Sequence, residues 1–357
     1  MWPVAIIDAD GHVFEKDEEL FEYLEPPYAA KQTVLGLPFW PTLDGYHRGA
    51  IQARLDIHQR LESSARIWLD FLDGAEIECT VLYPTAALTC GLIRDRDWAV
   101  AAARAYNTWL SERYLRVSPR LHGMALLPLQ DPSEAAAELR RAVADLGMLG
   151  GVLTPIGLRK ALGHSDYDPV YREAARLDCV LAVHAGPAQE LGLDVLDRFA
   201  QVHALSHPYA QMVQMTSIVM SGVLDRFPTL RIAFLEAGAS WVPFLMHRMD
   251  RSYAGRKHPE YVGGVARRPS TYVAGGNLYL NAEPSEPLLP HVMEMIGTDT
   301  LLFTSDFPHE VNLAICRAEI DAVLRRPDFS DELKSKLLAG NARRLYRFHS
   351  EARSHGG

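Results

Sequence analysis

Residues 6–12 read Ile-Ile-Asp-Ala-Asp-Gly-His, an apolar start followed by two acids and an imidazole at alternate positions. Side chains two residues apart on a strand point the same way, so Asp8, Asp10 and His12 are predicted to share one face. Ile7 and Ala9 would share the other face. Acids and an imidazole held together in a core lose hydration and repel, so the arrangement requires a compensating partner.

Short apolar runs alternate along the chain with helical segments rich in Ala, Leu and Arg. Runs without polar alternation are typical of parallel strands buried on both faces. Eight such runs in a chain of 357 residues predict the α/β class and a (β/α)8 TIM-like barrel. No Gly-x-Gly-x-x-Gly or Walker-type loop follows a strand, which disfavours an open nucleotide-binding sheet. The strand candidates begin at Val4, Glu78, Leu121, Gly150, Cys179, Arg231, Leu278 and Leu301.

The predicted barrel occupies residues 1–348 as a single domain, and residues 349–357 are expected to form a disordered tail. Residues 15–74, between the first and second strands, form a long insertion. A loop of this length in a compact domain is usually functional, so we expect a lid or substrate wall over the catalytic end. A packing extension or an oligomer contact is the alternative.

Bulk composition limits the partners and the compartment. The net charge is −9 and no basic stripe is present, which disfavours nucleic acid and anionic membranes. No signal peptide precedes the first strand, and no apolar stretch is long enough to span a bilayer, so we expect a cytoplasmic protein. The cysteines are far apart and are predicted to be buried thiols in a reducing compartment: Cys79, Cys90, Cys179 and Cys316.

Ligand-type residues stand at the ends of four predicted strands: Asp10 and His12, His184, Glu236, and Asp306. Catalytic residues of barrel enzymes lie at this end of the strands, so these side chains should meet at one rim. Each residue alone has a structural explanation, such as helix capping by Asp306. Together they predict a divalent cation that offsets the cost of their burial, with Asp8 supporting the ligands from below.

The same motifs resemble the amidohydrolase superfamily, in the branch typified by aminocarboxymuconate-semialdehyde decarboxylase. The resemblance runs from IIDADGH to GNARRLY near Asn341, through YDPVYREAARLDCVLAVHAG, FPTLRIAFLEAGASWVPFL and LLFTSDFPHE. It implies that Asp10, His12 and His184 are metal ligands. It also implies that Asp306 is both a ligand and the proton-transferring group. Family members commonly carry a histidine in an H-x-G-G turn after strand six, where this chain has Glu236.

Several further residues belong to the same predicted rim. Glu236 is expected to bind a metal ion, a second one included, or to act as an acid or base. His207 lies at a predicted helix start after strand five, where it either completes a second site or stabilises the turn. Glu15 and His309 are additional candidates. Lys160 lies past the end of strand four and is a poor candidate for a carbamate bridge.

The donor set is rich in carboxylate oxygen and imidazole, which suits Zn, Mn(II) or Fe(II), with one or two ions. Aromatic residues at the rim suit an apolar or aromatic carboxylate substrate, although they could equally be core. These residues are Phe39, Trp40, Tyr83, Trp241 and Phe307.

We therefore expect a metal-dependent hydrolase or decarboxylase-type lyase for a small carboxylate or carbonyl-containing substrate. A metal-bound water and Asp306 as general acid and base would perform the reaction, with Glu236 or His207 stabilising developing charge. A non-haem di-iron oxygenase on the same barrel is one alternative, and a non-catalytic ligand-binding barrel is another. We expect a homodimer with a small-molecule substrate as its partner.

Overall fold

The computed structural model describes residues 2–30, 38–41, 63–186, 191–255, 264–309 and 311–348. Residues 31–37 and 42–62 of the predicted lid and the predicted tail at 349–357 lie outside these ranges. All strand pairings are parallel. The strands are β1 Ile7–His12, β2 Cys79–Tyr83, β3 Leu121–Gly123, β4 Ala125–Leu126, β5 Gly150–Leu153, β6 Val180–His184, β7 Arg231–Leu235, β8 Leu278–Asn281 and β9 Leu301–Leu302.

Helices fill the connections between the strands, as the alternating pattern predicted. They are α1 Asp17–Phe21, α2 Ala65–Ala75, α3 Arg96–Leu110, α4 Pro132–Ala144, α5 Asp168–Leu177, α6 Phe199–Met220, α7 Val223–Arg226, α8 Val242–Gly255, α9 Ser270–Val273, α10 Leu289–Ile296, α11 Leu313–Arg325, α12 Asp331–Ser335 and α13 Asn341–Tyr346.

The strands follow one another in sequence order as β1-β2-β3 and β4 to β9. β3 and β4 are two halves of the predicted third strand, joined at Met124, whose N–H donates to the Leu82 carbonyl at 3.1 Å. The N–H of Ala9 in β1 donates to the carbonyl of Phe303, just after β9, at 3.0 Å. β1 is thus hydrogen-bonded to the segment that directly follows β9, which brings the two ends of the strand series together as in a barrel.

The barrel interior is filled by one face of the strands and by the last helix. Ile7, Val81 and Ala182 belong to this interior cluster, as does Tyr346 of α13. The Tyr346 hydroxyl donates to the Ala9 carbonyl at 2.8 Å and lies 2.8 Å from the Tyr83 hydroxyl. A larger apolar cluster lies between the strands and the surrounding helices. The carboxyl ends of the strands are left for the polar side chains.

β1 contains a bulge that corrects the predicted alternation. Asp8 pairs with Thr80, but the next paired residue is Gly11, opposite Leu82, so β1 carries one extra residue. Asp8 therefore does not share a face with Asp10 and His12, contrary to the prediction. A bulge changes which side of the sheet the following residues face, and apolar alternation does not reveal it.

Asp8 instead links β1 to β2 and to the segment after β9, on the outer side of the barrel. Its carboxylate accepts hydrogen bonds from Thr80 Oγ1 at 2.7 Å, Ser305 N–H at 2.7 Å and Ser305 Oγ at 2.8 Å. Burial raises the pKa of Asp8, although the hydrogen bonds from Thr80 and Ser305 oppose the shift. Asp8 supports the strand that carries Asp10, which agrees with the supporting role expected of it.

Polar side chains mark several helix starts. Asp131 and Ser330 cap α4 and α12 with their side chains, and α5 begins at Asp168. The predicted helix start at His207 is wrong, because α6 begins at Phe199 and continues through Pro208. Proline is common in the first turn of a helix, but here it lies in the middle.

All four cysteines are buried and free of disulfides, as predicted. Burial raises the pKa of the Cys90 thiol to about 12, so it stays protonated near neutral pH. Within the described residues, no helix has the length and apolar character needed to cross a membrane.

Glu173 of α5 links that helix to α4. It accepts three hydrogen bonds from Arg176, the shortest at 2.6 Å, and two from Arg140, at 2.9 and 3.2 Å. Hydrogen bonding by Arg176 and Arg140 lowers the pKa of Glu173 to about 2. The charged form therefore stabilises the folded state above about pH 4.5, the usual pKa of Glu. The stabilisation is lost as the pH falls towards 2.

We predict that Glu173→Gln lowers the free energy of unfolding by about 1–2 kcal/mol at pH 7, a value reduced because both arginines are exposed. The difference from the wild type should shrink below about pH 4. Urea unfolding between pH 3 and pH 7 measures it, with the surface variant Glu294→Gln as the control. A difference that stays constant over this range would contradict the assignment.

Candidate metal centre

Two imidazoles and a carboxylate meet inside the upper end of the barrel. The Nε2 atom of His184 lies 3.1 Å from both carboxylate oxygens of Asp10. The Nε2 atom of His12 lies 3.7 Å from Asp10 Oδ1. All three side chains are buried. The structure thus brings together the residues that the sequence placed at the ends of strands one and five.

Both histidines are fixed by backbone carbonyls on their other nitrogen. His12 Nδ1 lies 2.9 Å from the Pro84 carbonyl, and His184 Nδ1 lies 2.8 Å from the Ala185 carbonyl. A carbonyl oxygen only accepts, so each Nδ1 carries a hydrogen and each neutral ring presents an Nε2 lone pair to the centre. This is the usual way in which proteins orient histidine ligands.

The buried lone pairs lack a donor. His12 Nε2 has no hydrogen-bond partner among the described residues. His184 Nε2 faces Asp10, which when ionised also only accepts. Two acceptors at 3.1 Å require a cation between them, either a proton or a metal ion. The chemistry of this donor set fits a divalent metal of the Zn, Mn or Fe type.

The electrostatics of this group point to the same requirement. Burial raises the pKa of Asp10 to about 7 and lowers the pKa of His12 well below its usual value. Burial alone would also lower the pKa of His184, but the neighbouring Asp10 carboxylate outweighs it and raises that pKa to about 9. A positive charge is therefore favoured between His184 and Asp10.

A second group of donors lies on the open side of His12 and comprises Glu236, Asp306 and His309. Asp306 Oδ1 is 3.4 Å from His12 Nε2 and 2.8 Å from His309 Nδ1. Glu236 Oε1 is 3.6 Å from His309 Nδ1. The side chains of Glu236 and Asp306 are 20% and 30% exposed, so this is the side that a substrate can reach.

Both of these carboxylates, Glu236 and Asp306, belong to residues with a strained backbone conformation. Glu236 and Asp306 have φ values of 60° and 53°, in the left-handed region that non-glycine residues rarely adopt. Such a conformation costs on the order of 1–3 kcal/mol and is concentrated at functional sites. The Asp306 N–H donates to the Asp10 carbonyl at 3.0 Å, which holds the strained turn against β1.

The two carboxylates differ in charge preference. Burial raises the pKa of Asp306 even though His309 opposes the shift. Burial also opposes ionisation of Glu236, but His207, His309 and His184 together hold its pKa well below the usual value. For His309, burial is outweighed by Asp306 and the pKa rises to about 10. Asp306 is the carboxylate better suited to carry a proton.

His207 and His309 reach the site by different routes. His207 Nε2 lies 3.8 Å from Glu236 Oε2, and its Nδ1 contacts Ser206 Oγ at 2.9 Å. It therefore stands beside Glu236, within α6. His309 stacks on His12 with ring centroids 3.9 Å apart, which places it closer to the centre than the sequence indicated. Its position three residues after Asp306, in SDFPH, was the available signal.

Glu15 has a different environment from the other rim residues. Its carboxylate accepts hydrogen bonds from the N–H groups of Thr85, Ala86 and Ala87 at 3.0–3.3 Å. Thr85 was missed by the sequence analysis, yet its Oγ1 lies 2.9 Å from His309 Nε2. Lys160 is paired with Asp166 near the surface, consistent with its exclusion from the site.

The aromatic residues expected at the rim are core residues. The structure buries four of them almost completely, and the fifth, Phe307, stacks on Phe71 at 3.8 Å. Their interpretation as a substrate wall is therefore not supported, because large apolar rings are stabilised more by packing in the core than by contact with solvent. The four buried residues are Phe39, Trp40, Tyr83 and Trp241.

Carboxylate and imidazole donors at the carboxyl end of a (β/α)8 barrel define a class of barrel enzymes whose site is suited to bind a metal ion. The amidohydrolase family model matches residues 7–348, and the chain belongs to that family. The chain is therefore an enzyme of the amidohydrolase superfamily, as the sequence motifs indicated.

The chain is similar to several decarboxylases. It is 28% identical over 274 residues to a gamma-resorcylate decarboxylase from Polaromonas sp., covering 72% of this chain and 79% of the relative. It is 22% identical over 312 residues to 2-amino-3-carboxymuconate-6-semialdehyde decarboxylase from Dictyostelium discoideum, covering 85% and 83%. These relatives confirm the branch indicated by the motifs.

A solved structure confirms the barrel fold. It is dihydroxybenzoic acid decarboxylase from Polaromonas sp., determined with bound manganese and the inhibitor 2-nitroresorcinol. The TM-score is 0.73 at 22% identity, covering 96% of this chain and 97% of that chain.

Gly11 makes the approach of β1 to its neighbours possible. A Cβ at this position would lie 2.2 Å from the Trp68 ring and 2.9 Å from Asp8 Oδ2. Trp68 cannot easily move, because it is fully buried and its Nε1 donates to the His12 carbonyl at 3.0 Å.

We predict that Gly11→Ala destabilises the protein by about 2–3 kcal/mol, the usual cost of overpacking a core. It should also weaken metal binding, because His12 follows directly. Thermal unfolding and metal titration measure both effects. Gly340→Ala is the control, since a Cβ there would find its nearest atom at 3.5 Å. Equal stability of Gly11→Ala and the wild type would contradict the steric argument.

Proposed function

We propose that the protein is a metal-dependent decarboxylase-type lyase acting on a small aromatic or apolar carboxylate. The observation that carries the proposal is the convergence of buried, donor-free acceptors from Asp10, His12 and His184. Two findings support it. The similar curated proteins include decarboxylases, and a solved neighbour holds manganese at 22% identity.

Asp10, His12, His184 and Asp306 would hold the ion, with Glu236 beside it. A divalent ion bound there would supply a positive centre for the carboxylate of the substrate and a neighbouring oxygen. The carbonyls of Pro84 and Ala185 keep the two histidines in the orientation that this binding needs. The exposed edges of Asp306 and Glu236 face the approaching substrate.

Asp306 would move the proton. In a decarboxylation the bond to the carboxyl carbon breaks and its electron pair stays on the remaining carbon. Protonated Asp306 delivers its proton to that carbon as carbon dioxide leaves, and the resulting carboxylate is protonated again from solvent. The raised pKa of Asp306 and its hydrogen bond to His309 suit this role.

Glu236 would keep its negative charge during this cycle, because its pKa is lowered by the surrounding histidines. Glu236 therefore does not act as a proton donor, unlike the histidine that family members commonly have at this position. Its role is to position His207 and His309, whose nearest ring nitrogens lie 3.8 and 3.6 Å from its carboxylate oxygens.

The test is release of carbon dioxide from a panel of hydroxybenzoates and apolar carboxylates by the manganese-loaded enzyme. We predict turnover by the wild type and a loss of roughly 100-fold to 10,000-fold in Asp306→Asn, the usual range for a proton-transferring group. Asp166→Asn, a surface substitution, is the control. An Asp306→Asn protein as fast as the wild type, or a metal-loaded wild type inactive on the whole panel, would refute the proposal.

A two-ion oxygenase is a second candidate, favoured by the existence of two donor groups that share His12. Such an enzyme would hold two irons and would consume oxygen together with an external two-electron reductant.

We predict one ion per chain and unchanged turnover under argon, because the decarboxylation needs no oxidant. Elemental analysis of the purified protein and assays in an anaerobic chamber measure both quantities. Two irons per chain with strictly oxygen-dependent turnover would favour the oxygenase instead.

A further inference from the structure

We propose that Glu15 and Thr85 are positioning residues that fix the His309 imidazole and, through it, Asp306. The inference rests on the proposed function only in taking Asp306 as the proton-carrying residue. Its geometry comes from three separate parts of the barrel: the segment after β1, the turn after β2 and the turn after β9.

The first step is the anchoring of the turn after β2 by Glu15. Four hydrogen bonds from three consecutive N–H groups converge on its carboxylate, at 3.0–3.3 Å. No cation pairs with Glu15 among the described contacts, so the backbone dipoles stabilise its charge, as in other backbone anion sites. Burial raises the pKa of Glu15 to about 7, while the same N–H groups oppose the shift. Because three N–H groups of the turn bond to it, the Glu15 carboxylate fixes the position of Thr85.

The second step is the contact between Thr85 and His309. Thr85 Oγ1 lies 2.9 Å from His309 Nε2. A hydroxyl both donates and accepts, so it can hold this nitrogen whether or not the ring is protonated. The opposite nitrogen, Nδ1, lies 2.8 Å from Asp306 Oδ1. The two contacts lie on opposite edges of the ring and together fix its rotation.

The third step is the effect on Asp306. The His309 ring is stacked on His12 with centroids 3.9 Å apart, and this stacking alone does not fix the direction of its nitrogens, which depends on the contacts with Thr85 and Asp306. Without the Thr85 hydroxyl, Nε2 would lose its protein partner and the ring would be free to turn. Asp306, in a strained backbone conformation and 30% exposed, would then lose the hydrogen bond that orients its carboxylate.

The matched variants are Thr85→Val, which removes the hydroxyl at nearly constant volume, and Thr85→Ser, which keeps it. Two readouts do not depend on the substrate. One is the ¹⁵N signals of the His309 ring in metal-free protein labelled in histidine, assigned with His309→Gln. The other is the visible spectrum and affinity of bound Co²⁺, which report the geometry of the ligands.

We predict that Thr85→Val shifts the His309 ring signals and weakens Co²⁺ binding about 10-fold. This is a typical effect of losing a hydrogen bond that orients the residues around a metal site. Thr85→Ser should restore both. Glu15→Gln should shift the same signals in the same direction. The double variant should add little to Thr85→Val, because the two residues act in series. Glu22→Gln, at the surface, should change neither readout.

Unchanged His309 signals in a folded Thr85→Val protein would overturn the inference, as would a Thr85→Ser protein that behaves like Thr85→Val. The ¹⁵N experiment is informative even if the proposed function is wrong, since it needs neither metal nor turnover. Failure of the wild type to bind Co²⁺ or to release carbon dioxide would count against the proposed function, while the His309 signals would still decide the positioning role.

Discussion

Three buried acceptors that face one another set the main constraint on this structure. The Nδ1–H groups of His12 and His184 donate hydrogen bonds to the carbonyls of Pro84 and Ala185. The Nε2 lone pairs of both rings therefore converge on Asp10. Burying such groups without a donor costs several kcal/mol, and a bound cation removes that cost. Much of the local geometry serves this convergence. The bulge in β1 turns Asp10 towards the interior, and Gly11 leaves room for Trp68 against the strand.

The rest of the barrel must compensate for the strain at the rim. Glu236 and Asp306 adopt left-handed backbone conformations that cost on the order of 1–3 kcal/mol each. Hydrogen bonds across strands hold them in place. Asp8 links β1 to Thr80 and Ser305, and the Asp306 N–H bonds to β1. Tyr346 of the last helix bonds from inside the barrel to the carbonyl of Ala9, the residue before Asp10. Hydrogen bonds from neighbouring segments thus hold β1 in place next to the strained residues.

The sequence predicted the residues at strand ends because parallel strands bring all their carboxyl ends to one rim. The bulge was not predictable, since one added residue leaves the apolar pattern of IIDADGH unchanged. Thr85 and the role of Glu15 depend on hydrogen bonds between segments 70 residues apart. The error at His207 arose because proline usually marks the first turn of a helix. The aromatic residues of the insertion were ambiguous because rim and core positions share the same composition.

Glu236 stands where family members commonly have a histidine, and it adds a carboxylate charge to the centre. With Asp10, Glu236 and Asp306 all ionised, one divalent ion leaves a single negative charge. His309 lies within 3.6 Å of both Glu236 and Asp306, and the Asp306 carboxylate raises its pKa to about 10, so a protonated His309 ring offsets part of the carboxylate charge before an ion binds. Two divalent ions would instead leave the centre positive and would disfavour protonation of His309. In the proposed one-ion centre, His309, stacked on His12 and in contact with Thr85, would take the place of a second ion beside Glu236 and Asp306.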